Sequence, residues 1–94
     1  MKEKLKLTPI KASGFGLSRR TKIAIDEKRD HYIIKNIKSR IIMKDGKKIV
    51  EIAKKIKTEI NTNVFLATTA PICSKTKGYL KENKIVTIYN YIVS

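Results

Sequence analysis

Val64-Phe-Leu-Ala-Thr-Thr-Ala-Pro-Ile-Cys-Ser-Lys-Thr76 reads as a strand, its exit loop and the start of a helix. The first four residues are a short continuous apolar run. Such runs mark strands buried on both faces, as in parallel sheets. Upstream, from Lys47, the apolar residues Ile49, Ile52, Ala53, Ile56 and Ile60 fall on one helical face. Asp45 suits the N-cap of this helix, expected over 46–60. Opposite charges four apart (Lys47–Glu51, Glu51–Lys55, Lys55–Glu59) support its outer side by only about 0.2–0.5 kcal/mol per pair. Downstream, residues 73–83 read as a second helix with Ile72, Thr76, Tyr79 and Leu80 inward. Residues 85–93 read as one long strand. The order helix, strand, helix, strand points to an α/β crossover unit.

Outward from this unit, Lys22-Ile-Ala-Ile-Asp26 and His31-Tyr-Ile-Ile-Lys-Asn-Ile37 flank the charged turn Glu27-Lys-Arg-Asp30. Residues 22–37 are therefore expected to form a β-hairpin. Ile41-Ile-Met43 fits a third strand or a bend into the helix. Leu5, Leu7 and Thr8 fit a short strand that Pro9 would confine to an edge. The expectation is one small α/β domain over 1–94, with a mixed sheet in which a hairpin precedes an α-β-α-β unit. Ninety-four residues suffice for one core.

Charge dominates the composition. Lys plus Arg number 22 against 8 acids, a net charge of +14. No acid lies between Glu3 and Asp26, whereas Lys4, Lys6, Lys11, Arg19, Arg20 and Lys22 do. A field of this sign attracts polyanions. Gly14 and Gly16 around Phe15, followed by the arginine pair, read as a loop. Residues 1–22 are thus expected to be a basic, mobile arm and loop, with Phe15 available for base stacking or tucked into the core. Lys54 and Lys55 would add charge from the first helix. The resulting expectation is a non-catalytic nucleic-acid-binding protein, RNA favoured over DNA, acting through phosphate contacts. A surface for an acidic protein partner is an alternative. A single cysteine excludes an internal disulfide and suits a reducing cytoplasm. No apolar run reaches the length of a membrane span.

A loop opening a helix presents free backbone N–H groups and a positive dipole end. Thr68, Thr69, Cys73, Ser74 and Lys75 therefore form a second candidate, an anion or redox site. Neither a GxGxxG nor a GxxxxGK[ST] pattern is present, which argues against the usual nucleotide-binding routes. Pro71-Ile-Cys73-Ser-Lys-Thr76 and Tyr79-Leu-Lys-Glu-Asn-Lys-Ile85 resemble the active-site unit of thioredoxin-like proteins. Glutaredoxins and arsenate-reductase-like proteins share its Pro-x-Cys step and lysine-rich helix. The resemblance implies a redox role for Cys73, with Thr76 where a second cysteine would stand. The same stretch also resembles the strand, Ala-Pro and helix of ribosomal kink-turn RNA binders, which implies RNA. A structural, slowly reacting Cys73 is the more frequent outcome for a lone cysteine. His31 has no second ligand nearby in sequence, so no metal and no cofactor are expected. No acid pair or Ser/His/Asp set stands out, which weighs against an enzyme.

Overall fold

A computed structural model describes residues 4–11, 14, 16–17 and 21–93. Phe15, Arg19 and Arg20, and with them most of the expected mobile loop, lie outside the described residues. Three strands come first: β1 (Leu5–Ile10), β2 (Lys22–Ile25) and β3 (His31–Ile34). They form an antiparallel meander. The hairpin has Lys22 opposite Ile34 and Ile25 opposite His31. Its turn is held by Asp26, whose Oδ1 accepts from the backbone N–H groups of Lys28 and Asp30, each at 2.9 Å. Arg29 takes the left-handed conformation that the tight turn demands (φ 66°).

Ile41 bridges to Ile72, and the chain then enters helix α1 (Met43–Glu59). The helix begins three residues earlier than its periodicity suggests. Asp45 is consequently not the N-cap. It sits in the first turn, where its Oδ2 accepts from the Ile42 N–H at 3.2 Å. Strand β4 (Val64–Ala67) runs parallel to β3, and helix α2 (Ser74–Glu82) follows. The expected mixed α/β domain is present: with β5 (Val86–Ile88) and β6 (Tyr91–Val93), the described residues form a six-stranded sheet in the order β5-β4-β3-β2-β1-β6.

The expected single final strand is two: β5 (Val86–Ile88), parallel to β4, and β6 (Tyr91–Val93), parallel to β1. These are the opposite edges of the sheet. Flat, six strands would hold the edges about 24 Å apart. Tyr89 and Asn90 alone join them, a reach of about 11 Å. The sheet is therefore rolled. The Thr68 N–H donates to the Ile88 carbonyl and the Leu5 N–H to the Asn90 carbonyl, so one strand path closes on both edges. β1 is accordingly interior, not the edge that Pro9 suggested. Because β6 pairs only Leu5–Leu7, β1 has a single neighbour at Pro9, where a missing N–H costs least.

Rolling gives the sheet two cores. Outside, under the helices, Ile23, Ile33, Val64 and Leu66 pack with Ile49, Ala53, Ile56 and Leu80. Inside the roll lie Leu7, Ala24, Tyr32 and Ala67, with Leu5, Ile34, Phe65, Ile88 and Tyr91 against them. The Tyr32 and Phe65 rings stack with centroids 5.0 Å apart. The single strand expected over 85–93 is broken for the same reason. The kink at Tyr89–Asn90 resets the period, so Ile88 and Tyr91 both point inward.

Candidate functional site

Strand β3 is where the sheet changes from antiparallel to parallel pairing. Here the end of β3 brings Ile34, Lys35 and Asn36 beside the start of β2 (Thr21, Lys22) and the end of β1 (Ile10, Lys11). Two hollows meet there. The larger, about 900 Å³, opens at the end of the roll, between Pro9, Lys11, Lys22, Ile34, Asn36, Tyr91 and Val93. The smaller, about 400 Å³, lies on the helix side, between Lys22, Ile34, Lys35 and the α1 residues Lys48, Ile49 and Ile52. Thr21, Lys22 and Ile34 line both.

Among the described residues, no carboxylate side chain lines either hollow. Lys11, Lys22, Lys35 and Lys48 are the charged groups, and cations in a concave, apolar-walled place focus their field outward. Lys35 Nζ lies 3.9 Å from Asp45 Oδ1, the one ion pair among the described residues. The backbone beneath Lys35 is fixed on both sides. Its N–H donates to the Ala67 carbonyl at 3.0 Å, and its carbonyl accepts from Thr68 Oγ1 at 2.7 Å.

Of the residues expected to contact phosphate, the structure brings Lys11 and Lys22 together at this site. Lys4 and Lys6 lie near the other end of the sheet, in a hollow shared with Asp26 and Glu27 that dilutes their charge. Lys54 and Lys55 are exposed on α1, at least two residues beyond the part of the helix that lines the smaller hollow. Sequence reasoning misses Lys35, Asn36 and Lys48. Lys35 and Asn36 follow a strand that reads as half of a hairpin, and Lys48 sits in a lysine-rich helix where nothing local sets it apart.

The second candidate lies at the exit of β4 and the start of α2. Thr68 is fully buried and its hydroxyl is used in the fold, donating to the Lys35 carbonyl and accepting from the Ala70 N–H at 3.0 Å. Thr69 is exposed in the exit loop, and Ser74 and Lys75 are exposed at the first turn of α2. Cys73 is the N-cap of α2 and partly exposed. The backbone N–H groups of Thr76 and Lys75 lower its thiol pKa, with Arg40 adding a smaller effect in the same direction. Among the described residues, no three His, Cys, Asp or Glu side chains gather where they could hold a metal ion, and no helix is long and apolar enough to cross a membrane.

No family model and no curated protein matches the chain. Solved structures do. EndoMS in its apo form superposes over 94% of this chain with a TM-score of 0.63 at 10% identity. EndoMS in a complex with double-stranded DNA gives 0.69 over 87% at 10% identity. A repair endonuclease from Pyrococcus abyssi gives 0.60 over 77% at 11% identity. The chain spans 37%, 35% and 31% of those three chains, about a third of each. The likeness is one of fold. It overturns the reading of a non-catalytic, RNA-leaning binder, because the proteins that share this architecture include a repair endonuclease and a chain bound to double-stranded DNA. The thioredoxin-like and kink-turn resemblances, confined to residues near 64–88, give way to a likeness covering most of the chain. An acidic protein partner finds no support.

Proposed function

We propose that this chain is a domain of a DNA-processing enzyme that holds the phosphodiester backbone of double-stranded DNA at the open end of its rolled sheet. The observation that carries this reading is the convergence of Lys11, Lys22, Lys35 and Lys48 on two adjoining hollows with no carboxylate side chain among their described lining residues. The neighbours supply the context: one is a repair endonuclease and another is bound to duplex DNA. The reaction class is phosphodiester hydrolysis. Lysines at the carboxyl end of β3 hold backbone phosphates and stabilise the charge that develops on the phosphoryl oxygens as water attacks. Asp45, whose Oδ1 lies 3.9 Å from the Lys35 ammonium and whose Oδ2 accepts from the Ile42 N–H, positions that ammonium for the phosphate. Arg19 and Arg20, in the acid-free charge run of the sequence, are proposed to add phosphate contacts.

Plasmid nicking tests the reading. Supercoiled DNA is incubated with the chain and Mg²⁺ or Mn²⁺. Nicking is expected, falling at least tenfold in Lys22→Ala/Lys35→Ala and in Asp45→Asn, and unchanged in Lys54→Ala/Lys55→Ala. Absence of nicking with either ion, or an equal loss in the Lys54/Lys55 variant, overturns it.

A further inference from the structure

We infer that the larger hollow is a seat for a single unpaired nucleotide, with the base on its apolar wall and the phosphate on Lys11 and Lys22. The inference rests on the DNA reading for the class of ligand and goes beyond it in what enters the molecule. A duplex backbone needs only cations on a rim. This hollow has more than a rim. Its wall is the inner face of the roll, where Pro9, Ile34, Tyr91 and Val93 do nothing for a phosphate. Val93 is 45% exposed there, apolar surface left open to water. A volume of about 900 Å³ lies within the range of pockets that enclose small ligands.

The polar groups fit the same ligand. The Asn36 amide offers both a donor and an acceptor, the pairing needed to meet the edge of a base. Tyr91 supplies an aromatic ring at the wall, and rings of this kind stack on any base. Lys11 and Lys22 provide charge for one phosphate, with no acid opposing it among the described lining residues. An anion can therefore be held without a bridging metal ion. The nucleotide has two sources, a free nucleoside monophosphate or the unpaired end of a DNA strand.

Titration of the ¹⁵N-labelled chain with thymidine monophosphate in EDTA tests the seat. Saturable shifts of the Asn36 side-chain amide and the Val93 backbone amide are expected. Val93→Trp, a change at an exposed wall position, should weaken binding at least tenfold and leave the melting temperature unchanged. Binding of a duplex with a three-nucleotide unpaired tail is then compared with binding of a closed dumbbell of the same sequence. Tighter binding of the tailed duplex that Val93→Trp abolishes assigns the seat to strand ends. Saturation by the monophosphate with no advantage for the tail assigns it to free nucleotides. No saturable shift at Asn36 together with no tail advantage overturns the inference. Lysine-dependent binding of the dumbbell in that case leaves the DNA reading standing, so the two fail separately.

Discussion

Thr68 and Lys35 tie the ends of the two central parallel strands together: the Thr68 hydroxyl donates to the Lys35 carbonyl oxygen across 2.7 Å. The same hydroxyl accepts from the Ala70 N–H, so one buried side chain fixes both the exit of β4 and the backbone that carries the Lys35 ammonium. Charge at the site depends in this way on a neutral group in the core.

Thr68→Val keeps the shape and removes the hydroxyl. The buried Ala70 N–H loses its partner, at a cost of about 1–3 kcal/mol, and the part-buried Lys35 carbonyl loses one too. Thr68→Ser restores the hydroxyl and should recover most of the loss. Urea denaturation compares the three. A Val variant as stable as the parent would show that the hydroxyl contributes nothing.

Two glycines in helices should respond in opposite senses. A Cβ on Gly46 would lie 2.7 Å from Thr76 Cγ2, at the crossing of α1 and α2. Thr76 is fully buried and β-branched, so it cannot swing aside. Gly46→Ala is expected to cost about 1–3 kcal/mol through overpacking, more than the roughly 1 kcal/mol gained in helix propensity. Adding Thr76→Ser, which removes Cγ2, should recover part of it. A Cβ on Gly78 would meet nothing within 4 Å, and Gly78→Ala should stabilise by up to about 1 kcal/mol. Thermal melts of the parent and the three variants check both signs.

Where structure follows from local pattern, the sequence is a sufficient guide. The 22–37 hairpin, the face of α1 through Ile49, Ala53 and Ile56, and the buried strand Val64–Ala67 each follow from periodicity over a few residues. The break at Tyr89–Asn90 does not. Neither residue is a glycine or proline, and the kink arises because both edges of a rolled sheet must be reached by one strand path. The site divides in the same way. Lys11 and Lys22 stand out as members of an acid-free charge run. Lys35, Asn36 and Lys48 join them only through the β2–β3 register and the packing of α1, which no local pattern announces.

Cys73 should react faster than a buried structural thiol. Backbone N–H groups of Thr76, then Lys75, favour its thiolate and lower its pKa, as the start of a helix does for other cysteines. The rate of iodoacetamide alkylation against pH should reach its midpoint below that of the same cysteine in urea. Arg40→Gln should raise the folded midpoint slightly. Coincident midpoints in the folded and unfolded chain would contradict this.

His31 should make the fold sensitive to mild acid. Its ring is buried, and Nδ1 lies 3.3 Å from Thr62 Oγ1. Burial lowers its pKa, outweighing the opposing pull of the Arg29 carbonyl, Asp30 and Asp26. The sign follows from linkage. The unfolded chain takes up a proton near the ordinary histidine value, about 6.5, while the folded chain resists until a lower pH. Between those two values the unfolded state binds more protons, so stability is lost as pH falls and is fully present above about 6.5. The melting temperature should therefore decline from pH 7 toward about pH 5.5. His31→Gln, which keeps a polar group opposite Thr62 but cannot titrate, should flatten that decline. An equally steep decline in the Gln variant would place the acid sensitivity on the carboxylates instead.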